Sequence, residues 1–354
     1  MMSPGAQTGS TEVSDHGCLI ENPVVSVVMV TYNHEGYLAQ AIAGVLRQKT
    51  DFPIELLIGD DCSTDGTAAV ALRAQRDHPG QIRVIMSAGN TGLLGNNARL
   101  IRASRAEFIA YCDGDDFWTD PGKLQRQIDY LRSHADVGAV HSDFDHILWR
   151  NGEWRKHADT LRRRYRGLQV PEGNIFPVLL RGNFIQTCTL CFRAHFAKEC
   201  LDQGGLQDGF SVNDWPLCLY IAAHSKIAYM PVSTAVYRKV SGSLTNSGYA
   251  ASEKFIEGEI AMIEDVCDRF EVDRAARIEA LARLYRPLLS VTLFAGHGAE
   301  SARVLAWLRA NDPAYARSWR GLLLPWLARW ALTRHMLRRI QNARVGRREV
   351  TEYR

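Results

Sequence analysis

The chain has 354 residues, 46% of them apolar and 23% charged, a balance that provides a sizeable core and excludes a collagen-like or low-complexity polymer. Its formal net charge of +3 is too small to indicate a partner, and no stretch of about 18 uninterrupted apolar residues is present to span a bilayer. The length allows one large or two ordinary domains. Eight cysteines without a framework spacing point to reduced thiols in a cytoplasmic protein. Cys188 and Cys191 form a lone Cys-x-x-Cys with no second pair, and no metal or redox role is assigned to them.

Charge is unevenly distributed. After Ser301 twelve arginines face three acidic residues, a net +9, which leaves −6 for the rest of the chain. Residues 1–22 are rich in Ser, Thr and Gly without a hydrophobic period and read as a disordered leader. The N-terminus lacks the basic-then-apolar pattern of a signal peptide.

From Val24 a β-branched run to Val30 predicts a buried parallel strand, ending in the polar stretch Thr31-Tyr32-Asn33-His34. Leu38, Ile42, Val45 and Leu46 recur at helical spacing. A second strand, Ile54–Ile58, runs into Asp60-Asp61-Cys62-Ser63-Thr64-Asp65, where Thr64 or Asp65 can cap the next helix. A third strand from Gln81 to Met86 precedes the loop Gly89-Asn90-Thr91-Gly92. After a short helix around 96–105, the apolar Glu107–Tyr111 strand leads into Cys112-Asp113-Gly114-Asp115-Asp116-Phe117-Trp118. Pro121 opens a further helix carrying Leu124, Ile128 and Leu131.

Strands alternating with helices predict a doubly wound α/β sheet, which binds ligands outside the carboxyl ends of its strands. The four polar clusters all fall on that edge. Three carboxylates crowded after a buried strand repel one another and are costly to desolvate, and a hard divalent cation would relieve both penalties. A solvated acidic turn or a helix cap is the other reading of the same residues. Beyond Val137–Ser142 the alternation stops. Residues 143–176 look irregular and basic, Phe184–Phe192 reads as a strand, Asp214 stands near a helix start, and Ile227–Met230 and Ser233–Tyr237 are short strands. From about Ser252 the pattern is helical.

Taken in order, these motifs resemble the family 2 glycosyltransferases over about residues 24–245. Val25–Asn33 resembles the opening strand, whose Tyr-Asn turn faces the nucleotide. Ile58–Thr67 resembles the second motif, in which Asp61 would hydrogen-bond the base. Asp113–Asp116 resembles the Asp-x-Asp that holds Mn²⁺ or Mg²⁺ and the ribose, and Asn213-Asp214-Trp215-Pro216 sits where the family places its catalytic base. The resemblance implies a GT-A type α/β fold, a doubly wound mixed sheet with a Rossmann-like nucleotide-binding half. Its catalytic domain would span 23–245, followed by a helical, Arg-rich C-terminal region over 246–354.

It implies a metal-dependent, inverting transfer of a sugar from a nucleotide donor, a UDP-sugar first among them, to a glycan or lipid-linked acceptor in bacterial envelope polysaccharide synthesis. Asp214 would be the base; Thr31, Tyr32, Asn33, Asp60, Asp61, Asp113 and Arg238 would bind the donor; Asp113, Asp115 and Asp116 would hold the ion. Taken alone, Asp214 reads as an ordinary carboxylate favoured by the helix dipole. Two departures stand out: Asn213 replaces the glutamate of the usual Glu-Asp, and Val240 replaces a histidine in the late Tyr-Arg-x-His motif. Positive charge from that loop would then come from Arg238 and Lys239.

A nucleotidyltransferase is one alternative, though Thr31–His34 is not the glycine- and lysine-rich phosphate loop it ordinarily needs. A catalytically inactive nucleotide-sugar-binding subunit is the other. His141, His146 and His195 have no ligand spacing and receive no role. In the tail, Trp319–Trp330 and the residues to Ile340 mix tryptophan, leucine and arginine. That mixture suits either a peripheral contact at the inner face of the plasma membrane or a helical subdomain. No nucleic-acid-binding module is recognisable.

Overall fold

The structure is a computed structural model and describes residues 9–150, 153–239 and 249–318. Its elements run β1 Ser10–Val13, β2 Val25–Thr31, α1 Leu38–Leu46, β3 Ile54–Asp60, α2 Thr67–Asp77, β4 Ile82–Ser87, α3 Gly92–Ala103, β5 Phe108–Tyr111, β6 Phe117–Trp118 and α4 Lys123–Ser133. Then follow β7 Val137–Arg150, β8 Glu153–His157, α5 Thr160–Arg164, α6 Phe176–Leu180, β9 Cys191–Arg193, α7 Ala194–Asp202, α8 Asp214–His224 and β10 Lys226–Lys239. The helices α9 Tyr249–Arg269, α10 Arg274–Ala295, α11 Gly298–Asn311 and α12 Pro313–Arg317 complete the described chain.

The strands form one mixed sheet in the order β1-β4-β3-β2-β5-β9-β7-β10-β6, with β8 paired to β7. The run β4-β3-β2-β5 is parallel, with Thr31 opposite Asp60 and Val28 opposite Tyr111. The carboxyl ends of these strands therefore share one edge, as the alternation predicts. Every residue of β2 and β3 is buried, which is why both read as near-continuous apolar runs. Val25, Val27 and Met29 pack in one cluster with Leu38, Ile42 and Val45 of α1 and Leu124, Ile128 and Leu131 of α4. Each fully buried aliphatic side chain contributes about 1.5–3 kcal/mol.

Glu55, the charge inside β3, is fully buried and fully occupied. It accepts Ser26 Oγ at 2.6 Å, Arg105 Nε at 2.9 Å and Arg83 Nη1 at 3.2 Å. Arg83 also explains a departure from the sequence reading. Residues 10–13, expected to lie in a disordered leader, form an edge strand on β4, with Arg83 Nε donating to Glu12 at 2.8 Å. Arg83 holds the Glu12 carboxyl below the usual range. This strand has exposed residues and no apolar period, so its order comes from pairing and charge.

Three further readings change. Residues 143–150 and 153–157, expected to be irregular, extend β7 and form β8 paired to it, and α5 follows with its first amides on buried Asp143: Leu161 N at 2.8 Å and Arg162 N at 3.0 Å. The strand expected at Phe184–Phe192 shrinks to β9, preceded by a single 3₁₀ turn at Thr187–Thr189. The two short strands after Ile227 are one, β10, parallel to β7 with register shifts around Ser233.

The chain divides into two compact units. One holds 1–176, 184–208 and 213–239; the other holds 177–183, 209–212 and 240–354. Two short segments, 177–183 and 209–212, thus belong to the second unit. The second unit carries the helices α9 to α12. Asp273 caps α10 by accepting Ala275 N and Ala276 N, and Gly296 at φ +85° ends it. None of the helices among the described residues is long and apolar enough to cross a membrane. All eight cysteines are free thiols, six of them buried. Val240 and the Trp- and Arg-rich stretch from Trp319 lie outside the described residues.

Candidate active site

The site grows from the carboxyl ends of β2, β3 and β5. After β5 the chain keeps following β2, with Cys112 N donating to Val28 O at 3.1 Å and Gly114 N to Val30 O at 2.9 Å. This places Asp113 and Asp115 beside the end of β2. A Cβ on Gly114 would stand 2.9 Å from His34 Nδ1 and 3.0 Å from Thr31 Oγ1. The glycine is required by this packing, whereas the sequence alone suggested that it leaves room for a ligand.

The turns after β2 and β3 brace each other. Asn33 and Cys62 both take positive φ, +56° and +63°, sparsely populated for residues other than glycine. Ser63 Oγ accepts Asn33 N at 3.0 Å, Thr64 N donates to Asn33 Oδ1 at 2.9 Å, and His34 N donates to Thr67 Oγ1 at 2.7 Å. Asp60 is buried and takes the Ser63 hydroxyl at 2.5 Å. Asp61 is buried at the start of α3, accepting Gly92 N at 2.7 Å, Thr91 N at 2.9 Å and Thr91 Oγ1 at 2.6 Å. A carboxylate there satisfies the first amides of the helix and favours its dipole. Of the opening-strand residues, Thr31 is buried while the Tyr32 ring is 43% exposed.

The three clustered carboxylates divide. Asp116 is buried and accepts Arg238 N at 2.8 Å. Asp113 has a buried Oδ1 with no hydrogen-bond partner among the described residues, and the buried Thr31 Oγ1 is in the same position. Burial pushes the Asp113 carboxyl well above the ordinary carboxylate range, and the charges of Asp115 and Asp214 push it further the same way. His34 Nε2 lies 3.9 Å from Asp115 Oδ2. An unpartnered carboxylate oxygen among like charges fits a hard cation. Among the described residues no three His, Cys, Asp or Glu side chains are arranged to hold an ion by themselves. Asp113 and Asp115 would hold one only together with other oxygen ligands, and Asp116 is committed to the backbone of β10.

Arg238 is not presented as a free phosphate contact. It is 4% exposed, with its guanidinium carbon 4.6 Å from the Tyr37 ring centroid, 5.1 Å from Phe117 and 5.8 Å from Trp154. Its Nη2 donates to Gln40 Oε1 at 2.6 Å and its Nη1 to the Asp115 carbonyl. Arg238 thus clamps the backbone of the carboxylate cluster from β10.

Asp214 is the first residue of α8. Thr187 Oγ1 donates to its Oδ2 at 2.8 Å, and Trp215 N to its Oδ1 at 2.7 Å. Burial raises its carboxyl above the usual range, while these two donors act the other way. Adjacent Asn213 is buried, and its Nδ2 has no hydrogen-bond partner among the described residues. The fold therefore brings Asp113, Asp115 and Asp214 into one electrostatic neighbourhood, while Asp60, Asp61 and Asn33 build the turns beside it. Sequence reasoning missed His34, Thr187, Gln40 and Tyr37 as parts of the site. Only His34, in the polar stretch closing the first strand, carried a signal.

The profile described as Glycosyl transferase family 2 matches residues 26–198. An uncharacterised protein of Mycobacterium tuberculosis (strain H37Rv) is 31% identical over 261 residues, 69% of this chain and 68% of that one. A putative teichuronic acid biosynthesis glycosyltransferase of Bacillus subtilis, TuaG, is 30% identical over 113 residues, 32% of this chain and 44% of that one. Among solved structures, S. aureus TarS 1–349 in complex with UDP-GlcNAc superposes with a TM-score of 0.59 at 17% identity, covering 81% of each chain. The mannosyltransferase PcManGT of Pyrobaculum calidifontis, in complex with GDP-Man and Mn²⁺, gives 0.51 at 17% identity over 89% of this chain and 86% of that one. The sheet is thus of the GT-A type, and the chain belongs to glycosyltransferase family 2.

Proposed function

We propose that this glycosyltransferase moves a sugar, with inversion at the anomeric carbon, from a nucleotide-sugar donor to a glycan or lipid-linked acceptor of a bacterial envelope polysaccharide. The work would take place at the inner face of the plasma membrane. The observation that carries the reading is Asp113, whose buried Oδ1 has no hydrogen-bond partner among the described residues and whose carboxyl feels the charges of Asp115 and Asp214. The ligands of the two similar structures, UDP-GlcNAc and GDP-Man, support a nucleotide-sugar donor.

In this reading the donor lies along the carboxyl edge of β2–β5, Tyr32 is exposed to stack on its base, and Asp61, whose oxygens hold Thr91 and Gly92, fixes the loop beside the base. Asp113 and Asp115, with the donor's diphosphate oxygens, would hold Mn²⁺ or Mg²⁺, which when bound neutralises the charge of the departing nucleoside diphosphate. Asp214 takes the proton of the attacking acceptor hydroxyl. Its raised carboxyl is better matched to that task than an ordinary aspartate, because a general base works best with a pKa near the working pH. Thr187 fixes the side chain that does this. In-line attack opposite the leaving group inverts the anomeric centre.

The test is release of nucleoside diphosphate from a panel of UDP-, GDP- and dTDP-sugars with Mn²⁺, with Asp115→Ala beside it. Release from one donor that disappears in the variant supports the proposal. Absence of both release and binding for every donor would refute it. Donor binding without turnover, even with acceptors supplied, would favour an inactive nucleotide-sugar-binding subunit.

A further inference from the structure

The β7–β8 hairpin carries two tryptophans directly opposite each other, Trp149 and Trp154. Their ring centroids are 5.3 Å apart at an interplanar angle of 68°. Both are open to solvent, 54% and 40% exposed, in a protein whose other described tryptophans are largely or partly buried. An edge-to-face pair stabilises a hairpin by about 0.5–1.5 kcal/mol, but that contact does not require two large rings to stay in water. Exposed aromatic surface with a polar rim marks a binding site. The rim on the tryptophan face is Lys156, paired with Asp145 at 2.6 Å, whereas Glu153 and Arg155 alternate to the other face of the ribbon. Trp154 is also the outermost ring around Arg238, whose Nη1 donates to the Asp115 carbonyl. The aromatic pair is thereby continuous with the carboxylate cluster.

We infer that Trp149 and Trp154 form the acceptor platform, binding a pyranose ring of a saccharide next to the carboxylates; this rests on the transfer reading above. A pyranose has a face of C–H bonds and an edge of hydroxyls. The C–H face packs on an indole ring by dispersion and on its negative π-face, and the hydroxyls reach the charged rim. The link from Trp154 through Arg238 to the carboxylate cluster, where the transferred sugar would lie, selects a saccharide over a bilayer surface as the occupant.

The test uses the full chain, fluorescently labelled, on an array of bacterial pyranose oligosaccharides with UDP and Mn²⁺ present. UDP binding is measured in parallel by calorimetry. Trp149→Ala should lose about tenfold in apparent affinity for the glycans the wild type binds, the scale of one lost aromatic contact. Trp149→Phe should recover most of it, and UDP binding should be equal in all three. Because Trp149→Ala could unfold the hairpin, hydroxyl-radical footprinting of the wild type provides a second readout: the best glycan should protect Trp149 and Trp154 from oxidation.

Undiminished glycan binding in Trp149→Ala, unprotected tryptophans, or a wild type that binds UDP but no glycan would each overturn the platform while leaving the transferase reading intact. Loss of binding to phosphatidylglycerol vesicles, with glycan binding unchanged, would overturn it in favour of a lipid surface. A wild type that binds no UDP, GDP or dTDP would bring down the transferase reading and the platform with it.

Discussion

Replacing His141 with phenylalanine should make folding less sensitive to acid. His141 lies on β7, fully buried, with neither ring nitrogen hydrogen-bonded among the described residues. Its ring centroid is 5.6 Å from that of Phe184, edge-on, and 5.2 Å from that of Tyr229. Burial pushes its pKa from the ordinary 6.5 down to about 3. Below pH 6.5 the unfolded chain takes up a proton that the folded chain refuses, so stability is whole above 6.5 and is lost as pH falls toward 3. That one group costs about 2 kcal/mol at pH 5 and about 4 kcal/mol at pH 3. The assay is urea unfolding of wild type and His141→Phe between pH 7 and pH 5, comparing the slopes of stability against pH. Other titrating groups, including Asp113, Asp116 and Asp214 with their raised carboxyls, are common to both proteins and cancel. The wild type should lose about 2 kcal/mol more than the variant over that range. Parallel profiles would show that His141 reaches a partner or water and would refute the argument.

Asp214→Asn should lower transfer by about 10²–10⁴-fold while the donor still binds; near-normal turnover would remove Asp214 from the role of base. In Gly114→Ala the new methyl would stand 2.9 Å from His34 Nδ1, and overpacking of about 1–3 kcal/mol should appear as a lower melting temperature together with weaker donor binding. A variant unchanged in both would show that this turn yields freely. Arg238→Lys loses the planar fork that spans Gln40 and the Asp115 carbonyl. Mn²⁺ affinity, titrated by electron paramagnetic resonance, should therefore fall; intact Mn²⁺ affinity with only the donor KM raised would make Arg238 a phosphate ligand instead. Glu12→Ala should speed amide exchange at residues 10–13 without changing that of β2 and β3, and unchanged exchange would show that backbone pairing alone holds β1.

The sequence by itself determined the parallel half of the sheet and the edge on which the site lies. Runs such as Val25–Val30 and Ile54–Ile58 are apolar because strands buried on both faces admit little else, and the polar clusters that end them can only emerge at the strands' carboxyl ends. It also drew attention to Asp113, Asp115 and Asp116, since carboxylates crowded after a buried strand need a chemical reason, whereas Asp214, ordinary at a helix start, stood out only through the family resemblance. Tertiary structure alone decided what each polar group faces. Asp116 and Asp113 are three residues apart and chemically identical, yet one meets the Arg238 backbone amide and the buried Oδ1 of the other meets no donor among the described residues. Arg238 reads as a free cation until Tyr37, Phe117 and Trp154, distant in sequence, close around it. The edge strand β1 and the hairpin carrying Trp149 and Trp154 have no apolar period, because each is held by cross-strand partners instead of a buried face. Periodicity reports which residues leave water, whereas the partner that a buried charge or an exposed ring finds depends on contacts between segments far apart in the chain.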